Sequence, residues 1–161
     1  MREKPCREQI KMLITERMNE NNVEGIAELE KENFSDGWSL NSLKEEINNP
    51  DACYFAIRDD ENNLIVAAAG MIISIDTADI MNVSVKEEYR RKGLASKLLD
   101  TLLGEGRKKG VKDFTLEVRE NNHAARKLYE KKGFVFEGIR PKFYSNPTEG
   151  AAIYWLRDKE V

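Results

Sequence analysis

The chain is short of several residue types, and each shortage closes off a class of function. It has one histidine, His123, among 161 residues. A His-rich metal site has no ligands to draw on, and a Ser-His-Asp triad would have to use that single imidazole. No metal centre is expected. The two cysteines, Cys6 and Cys53, lie far apart without partner spacing, which fits reduced thiols in a cytoplasmic protein better than a disulfide or zinc framework. The four prolines (Pro5, Pro50, Pro141, Pro147) sit near the ends or at turns, and no repeat, low-complexity tract or Gly/Ser linker divides the chain. One domain over residues 1–161 is expected, with 1–9 as a loosely ordered leader. The longest apolar run, Leu64 to Ile73, includes Gly70 and is too short to span a bilayer, so it reads as a buried strand. The first residues, MREKPCREQ, are charged and lack the apolar core of a secretory signal. Neither sign of charge dominates: 26 Lys+Arg against 29 Asp+Glu leave a net charge of −3. That speaks against nucleic acid as the main partner, because neutralising phosphates takes a basic surface. A basic protein or peptide would be attracted instead.

What is present reads as alternating strands and helices. Residues 10–18 have the apolar, β-branched content of a strand. The polar stretch Asn19–Asn22 leads into a helix reaching about Phe34, with Val23, Ile26, Ala27, Leu29 and Phe34 as a rough apolar face. Ser39 is a good N-cap for a second helix to about Asn48, followed by Pro50. Strands are expected at 54–58, 64–75 and 77–85. The period then changes: Leu94, Leu98, Leu99, Leu102 and Leu103 form a helical stripe. Gly104 and Gly106 weaken its last turns and Gly110 closes it. A strand at 114–118, a helix at 122–132 stopped by Gly133, and strands at 135–144 and 151–157 complete an order β-α-α-β-β-β-α-β-α-β-β. A strand–helix–strand passage between 80 and 118 implies a parallel crossover within a mixed sheet carrying helices on both faces, an α/β fold.

Between the strand at 77–85 and the helix at 94 lies Tyr89-Arg90-Arg91-Lys92-Gly93-Leu94-Ala95-Ser96. A strand entering a helix through a basic, glycine-containing turn presents free backbone N–H groups and the positive end of the helix dipole. Gly93 allows close approach of the main chain, and Ala95 keeps the first turn open. This is an anion site, and pyrophosphate suits it best. It is neither a P-loop nor a Rossmann glycine loop. Taken alone, the stretch is read equally well as a solvated charge run before a turn glycine.

Arg90-x-x-Gly93-x-Ala95 after a strand resembles the acetyl-CoA signature of the GNAT superfamily of N-acetyltransferases. Leu116-Glu117-Val118-Arg119-Glu120-Asn121-Asn122, followed by Ala125, Leu128-Tyr129-Glu130 and Gly133-Phe134, is similar to the strand and helix that follow it there. Three features resemble the bacterial ribosomal-protein-alanine N-acetyltransferases (RimI type) within that superfamily. They are Phe34-x-x-x-Trp38-Ser39, the Leu-Glu-Val-Arg strand with Asn122 and Tyr129 at the family offsets, and Arg140-Pro141-Lys142-Phe143-Tyr144. The chain departs from that pattern at Gly37, Ala95, Phe143 and Gly150-Ala151, the last near the acceptor side.

The resemblance implies a GNAT fold in which strands 77–85 and 113–118 splay apart around the pantetheine arm of acetyl-CoA. Backbone groups of Val83, Ser84 and Val85 would hold that arm, with the Val83 N–H polarising the thioester carbonyl. Arg90, Arg91, Lys92, Gly93, Leu94, Ala95 and Ser96 would grip the pyrophosphate. Asn122 would bond the cofactor, act as a helix N-cap, or do both. Glu117 shares strand parity with Asp113 and Thr115, opposite to Phe114, Leu116 and Val118. It is the candidate general base, the alternative being a surface carboxylate paired with Arg119. Tyr129 is the candidate general acid for the departing thiolate, or an ordinary core aromatic. Trp38 and Tyr144, and with them Phe143, are candidates to line an acceptor groove. His123 is read as exposed and uninvolved. The expected reaction is acetyl transfer from acetyl-CoA to the N-terminal α-amine of a protein, an alanine of a small-subunit ribosomal protein foremost. A free α-amine, with a pKa near ~7.7–8.0 against ~10.4 for lysine, needs only a modest base. The alternatives are a small-molecule amine acceptor and a non-catalytic acyl-CoA sensor. No membrane association is expected, and the oligomeric state is open.

Overall fold

The computed structural model of the protein describes residues 12–158, so the expected leader over 1–9 lies outside the described residues. The elements run β1 (Leu13–Arg17), α1 (Val23–Asn33), α2 (Leu40–Ile47), β2 (Ala52–Asp59), β3 (Leu64–Ser74), β4 (Thr77–Ile80) and β5 (Ser84–Val85). After a 3-10 turn at Glu87–Tyr89 come α3 (Leu94–Lys108), β6 (Asp113–Arg119), α4 (His123–Lys131), β7 (Val135–Tyr144) and β8 (Glu149–Arg157). The strands form one eight-stranded sheet in the order β1-β2-β3-β4-β6-β8-β7, with β5 paired to β3 off that path. Every neighbouring pair is antiparallel except β4 and β6, which α3 joins as a parallel crossover. The mixed α/β sheet with helices on both faces is therefore as expected.

Strand alternation divides the core in two. Cys53, Phe55 and Ile57 of β2 face one cluster with α3, while Tyr54 and Ala56 face the other with α1 and α2. The stripe of α3 (Leu94, Leu98, Leu99, Leu102, Leu103) and that of α1 (Val23, Ile26, Leu29) are buried throughout. Each such side chain contributes on the order of 1.5–3 kcal/mol relative to exposure. The caps follow the sequence: Ser39 Oγ accepts from the Ser42 N–H at 3.2 Å and Asn122 Oδ1 from the Ala125 N–H at 3.2 Å. Gly110 and Gly133 turn the chain out of α3 and α4 with φ of 85° and 98°. No helix among the described residues is long and apolar enough to cross a membrane.

One expected element is corrected. The strand read as continuous over 77–85 breaks after Ile80 and resumes at Ser84. Between the pairs Met71↔Ile80 and Ala68↔Ser84, β3 advances three residues while this strand advances four. The extra residue is a bulge, which bends the strand and removes it from the sheet path. A β-branched stretch looks alike whether or not its far edge is paired, so composition could not reveal the break.

Candidate active site

The bulge opens the sheet. Ile80↔Leu116 is the last parallel pair of β4 and β6. Beyond it β6 stays with β8 as far as Arg119↔Ala151, while Ser84 and Val85 return to β3. A V-shaped gap lies between the diverging strands. On the β3 side, Lys86 N–H donates to the Val66 carbonyl at 2.7 Å and Ser84 stands opposite Ala68. Antiparallel alternation therefore turns the N–H groups of Val83 and Val85 away from β3 and into the gap. The Val83 N–H has no acceptor among the described residues. The Ser84 hydroxyl, by contrast, is buried without a partner.

One mouth of the gap is the basic loop, bordering a cavity of about 600 Å³. Gly93 takes the left-handed conformation, φ 78°, as the N-cap of α3, with no side chain closing the helix end. The first bond of the helix runs from the Lys97 N–H to the Gly93 carbonyl, so the N–H groups of Leu94, Ala95 and Ser96 are free to face an anion. The three basic residues divide their work differently from expectation. The Arg90 guanidinium is committed to the protein, donating to the Val85 carbonyl at 3.1 Å and to Asn33 Oδ1 at 2.7 Å. It ties the loop to α1 while still bordering the cavity. Lys92 is not among the lining residues; its Nζ lies 5.4 Å from the centre of the Tyr89 ring. Arg91, at φ 62°, is exposed and borders the cavity. The Leu94 side chain belongs to the core, leaving only its backbone to the loop. Beneath the loop the Tyr89 hydroxyl donates to the fully buried Asp59 at 2.5 Å, a contact sequence reading missed. That hydrogen bond, above all, holds the Asp59 carboxyl below its ordinary value against the opposing effect of burial.

The other mouth is a cleft of about 300 Å³ between the end of α1, the bulge and the β7–β8 hairpin. Glu117 points into it from β6 with the parity expected. Its partner is not Arg119 but Arg140, whose Nη1 lies 3.3 Å from Oε1. Arg119 instead reaches Glu149 at 3.3 Å and the carbonyls of Ser145 and Pro147, each at 2.9 Å. Glu149, the first residue of β8, also accepts from the Asn121 N–H at 2.7 Å, so a carboxylate does stand at the head of the last strand. Tyr144 lines the cleft, under the Arg119 guanidinium at 4.6 Å. Burial foremost, then the Glu117 charge, pushes its phenol up to about 12.

Two of the candidate aromatics stand apart from this cleft. Trp38 faces an adjoining groove and packs on Tyr54, with ring centres 6.2 Å apart, because the α1–α2 loop turns it toward the second core cluster. Phe143 points outward, 47% exposed, since strand alternation gives the inward position to Tyr144. His123 is exposed, as read. Sequence reasoning passed over Ser35, Asp36 and Asn82, which also line the cleft. They come from a loop and a bulge, where no periodicity marks the inward side.

The cleft and the cavity meet at Asn33, Phe34, Val83, Asn122, Ala125 and Tyr129, which line both. Tyr129 is 7% exposed, and its hydroxyl bonds no other described residue. Burial first, then the Tyr144 charge, drives its phenol well above the ordinary value, so it is a neutral O–H donor at physiological pH. Asn122 caps α4 through Oδ1 while its side-chain amide lacks a protein partner among the described residues. A mouth bordered by free backbone N–H groups and Arg91 and a mouth holding Glu117 thus converge on one unpaired N–H and one phenol.

The family model of the acetyltransferase (GNAT) family matches residues 23–134. The chain belongs to that family. Among curated relatives, a Haemophilus influenzae ribosomal protein bS18-alanine N-acetyltransferase is 35% identical over 127 residues, spanning 79% of this chain and 84% of its own. A Bacillus subtilis protein that carries the same designation provisionally is 32% identical, over 86% of this chain and 91% of its own. The crystal structure of the Escherichia coli ribosomal-protein-alanine N-acetyltransferase superposes with a TM-score of 0.82 at 27% identity, covering 93% of this chain and 96% of that one. As a GNAT N-acetyltransferase, the protein takes acetyl-CoA as its acyl donor.

Proposed function

We propose that this GNAT enzyme acetylates the N-terminal α-amine of a protein, an alanine of a small-subunit ribosomal protein; its similar relatives are named ribosomal protein bS18-alanine N-acetyltransferases. The observation that carries the reading is the junction of the two cavities at Val83 and Tyr129, with Glu117 on the acceptor side only. The described residues act in it as one domain, and the place of action is the cytoplasm, where new ribosomal proteins are met.

In this reading the N–H groups of Leu94, Ala95 and Ser96, with Arg91 beside them, hold the pyrophosphate, and Val83 to Val85 with Asn122 align the pantetheine arm. Glu117 releases Arg140 and accepts a proton from the acceptor's ammonium, and the freed amine attacks the thioester carbonyl. The new C–N bond forms while negative charge collects on the carbonyl oxygen, where the Val83 N–H donates to it. The C–S bond then breaks, the Tyr129 hydroxyl gives its proton to the departing thiolate, and the new amide nitrogen sheds its second proton, which restores the Tyr129 hydroxyl by way of solvent while Glu117 releases its own proton to water. Tyr144 and the 34–36 loop flank the acceptor's first residues.

A thiol-release assay with acetyl-CoA tests this on peptides bearing a free N-terminal alanine and on the same peptides blocked there but carrying lysine. Turnover is expected only with the free N-terminus. Turnover with neither, while acetyl-CoA still binds, would return the acceptor to small amines or leave a sensor. Glu117→Gln is expected to lower kcat about 10²-fold or more with acetyl-CoA binding retained.

A further inference from the structure

Glu30 stands on the inner face of α1, four residues after Ile26 and seven after Val23, where the helical stripe calls for an apolar side chain. It is 3% exposed. Its carboxylate takes two hydrogen bonds, from Asn82 Nδ2 at 3.1 Å and from the Trp38 N–H at 3.4 Å, both on Oε2. Among the described residues no cation pairs with it. Burial raises its carboxyl above the ordinary value, and the two donors oppose that rise. A buried carboxylate without a counter-ion costs stability relative to an apolar residue of the same size. The acetyl-transfer chemistry gives this one no proton to move.

Its two donors explain its place. Asn82 sits in the bulge, between Met81 and Val83, and all three residues line the acceptor cleft. Trp38 ends the loop whose residues Phe34, Ser35 and Asp36 form the facing wall. The loop is folded tightly onto the same helix: a Cβ on Gly37 would lie 2.8 Å from the Glu30 carbonyl oxygen and 3.2 Å from Oε2. One carboxylate oxygen therefore ties together both walls of the cleft and the residue next to the thioester-facing N–H.

We propose that Glu30 is a positioning residue for acyl transfer, clamping Asn82 to the 34–38 loop so that cleft width and the aim of the Val83 N–H are set together. The proposal rests on the reading of this cleft as the acceptor site. It requires a hydrogen-bond acceptor at position 30, not a charge. Glu30→Gln keeps an oxygen for both donors and is expected to stay within about twofold of the parent enzyme. Glu30→Leu fills the same space without an acceptor. It is expected to bind acetyl-CoA with parental affinity by calorimetry, and to lose about tenfold or more in kcat/KM for the peptide. Asn82→Ala, at a partly exposed position in the bulge, should match it, and the double variant should be no worse than either single one. Hydrogen exchange should rise together at residues 34–38 and 81–83 in both single variants, whatever the acceptor.

Parental peptide kinetics in Glu30→Leu and Asn82→Ala would overturn the proposal. So would unchanged exchange at those two segments, or a parallel loss of acetyl-CoA affinity. Failure of the underlying reading is separately visible: Glu117→Gln would then keep parental turnover while the exchange data still report on the clamp.

Discussion

Two glycines one half-turn apart in α3 should respond to the same substitution with opposite signs. Both Gly104 and Gly106 lie inside a helix, where alanine is favoured over glycine by about 0.8–1.0 kcal/mol. A Cβ on Gly104 would meet nothing within 4 Å, so Gly104→Ala should realise that gain nearly in full. A Cβ on Gly106 would lie 2.6 Å from Phe114 Cε1 and 2.7 Å from Cζ, with Met71 Cε at 3.4 Å behind. Carbon atoms rest at about 3.5–4.0 Å, so the ring must retreat by roughly 1 Å. Phe114 is 1% exposed near the start of β6, within the core, and has no room to do so. Overpacking of this kind costs about 1–3 kcal/mol, which leaves Gly106→Ala with a net loss of up to about 2 kcal/mol after the propensity gain. At about 2–4 °C per kcal/mol for a chain of this size, Gly104→Ala should melt ~2–4 °C above the parent protein and Gly106→Ala at or several degrees below it. Thermal unfolding followed by circular dichroism, with urea titration to confirm unchanged m-values, measures both. If Gly106→Ala melts as high as Gly104→Ala, the close approach of α3 to Phe114 is wrong. Because Gly104 lies ten residues into α3, away from the basic loop at its start, Gly104→Ala should leave the KM for acetyl-CoA unchanged.

Two further outcomes follow from the tyrosines. Tyr129→Phe keeps the ring that packs on Phe134 and Tyr154, at 6.1 and 6.3 Å between centres, and removes only the proton donor. It should cut kcat by about 10²-fold with little change in melting temperature; parental turnover would leave Tyr129 a packing residue alone. Tyr54, Tyr129 and Tyr144 all have phenols raised by burial, Tyr144 to about 12. The folded protein therefore binds protons more tightly than the unfolded chain. Its stability is fully present below the unfolded phenol pKa of about 10 and falls as pH rises from there through the folded values. Urea midpoints between pH 8 and 11 should be flat at first and then decline; a decline beginning near pH 8 would need another group.

Much of the fold and the chemistry was legible because it is written in local physics. The leucine stripe of α3 announced a helix and the face it buries. Ser39 and Asn122 marked helix starts with the hydrogen bonds that later appeared, and Gly93 marked a turn only a left-handed residue makes easily. The parity of β6 aimed Glu117 into the cleft before any neighbour was known. Each of these depends on a period of 2 or 3.6 residues or on a contact three residues away. What the tertiary structure alone decided depends on partners far apart in the chain. Arg90 spends its charge on Asn33, 57 residues away, and Tyr89 is anchored by Asp59, 30 residues away. Glu30 meets Asn82 across 52 residues, and Trp38 turns from the cleft to Tyr54. The break at 81–83, which opens the cleft, lies where this strand stays with β3 through a bulge while β6 continues with β8 alone. A single sequence records which side chains point the same way along an element; which distant group stands opposite them is settled when the sheet closes.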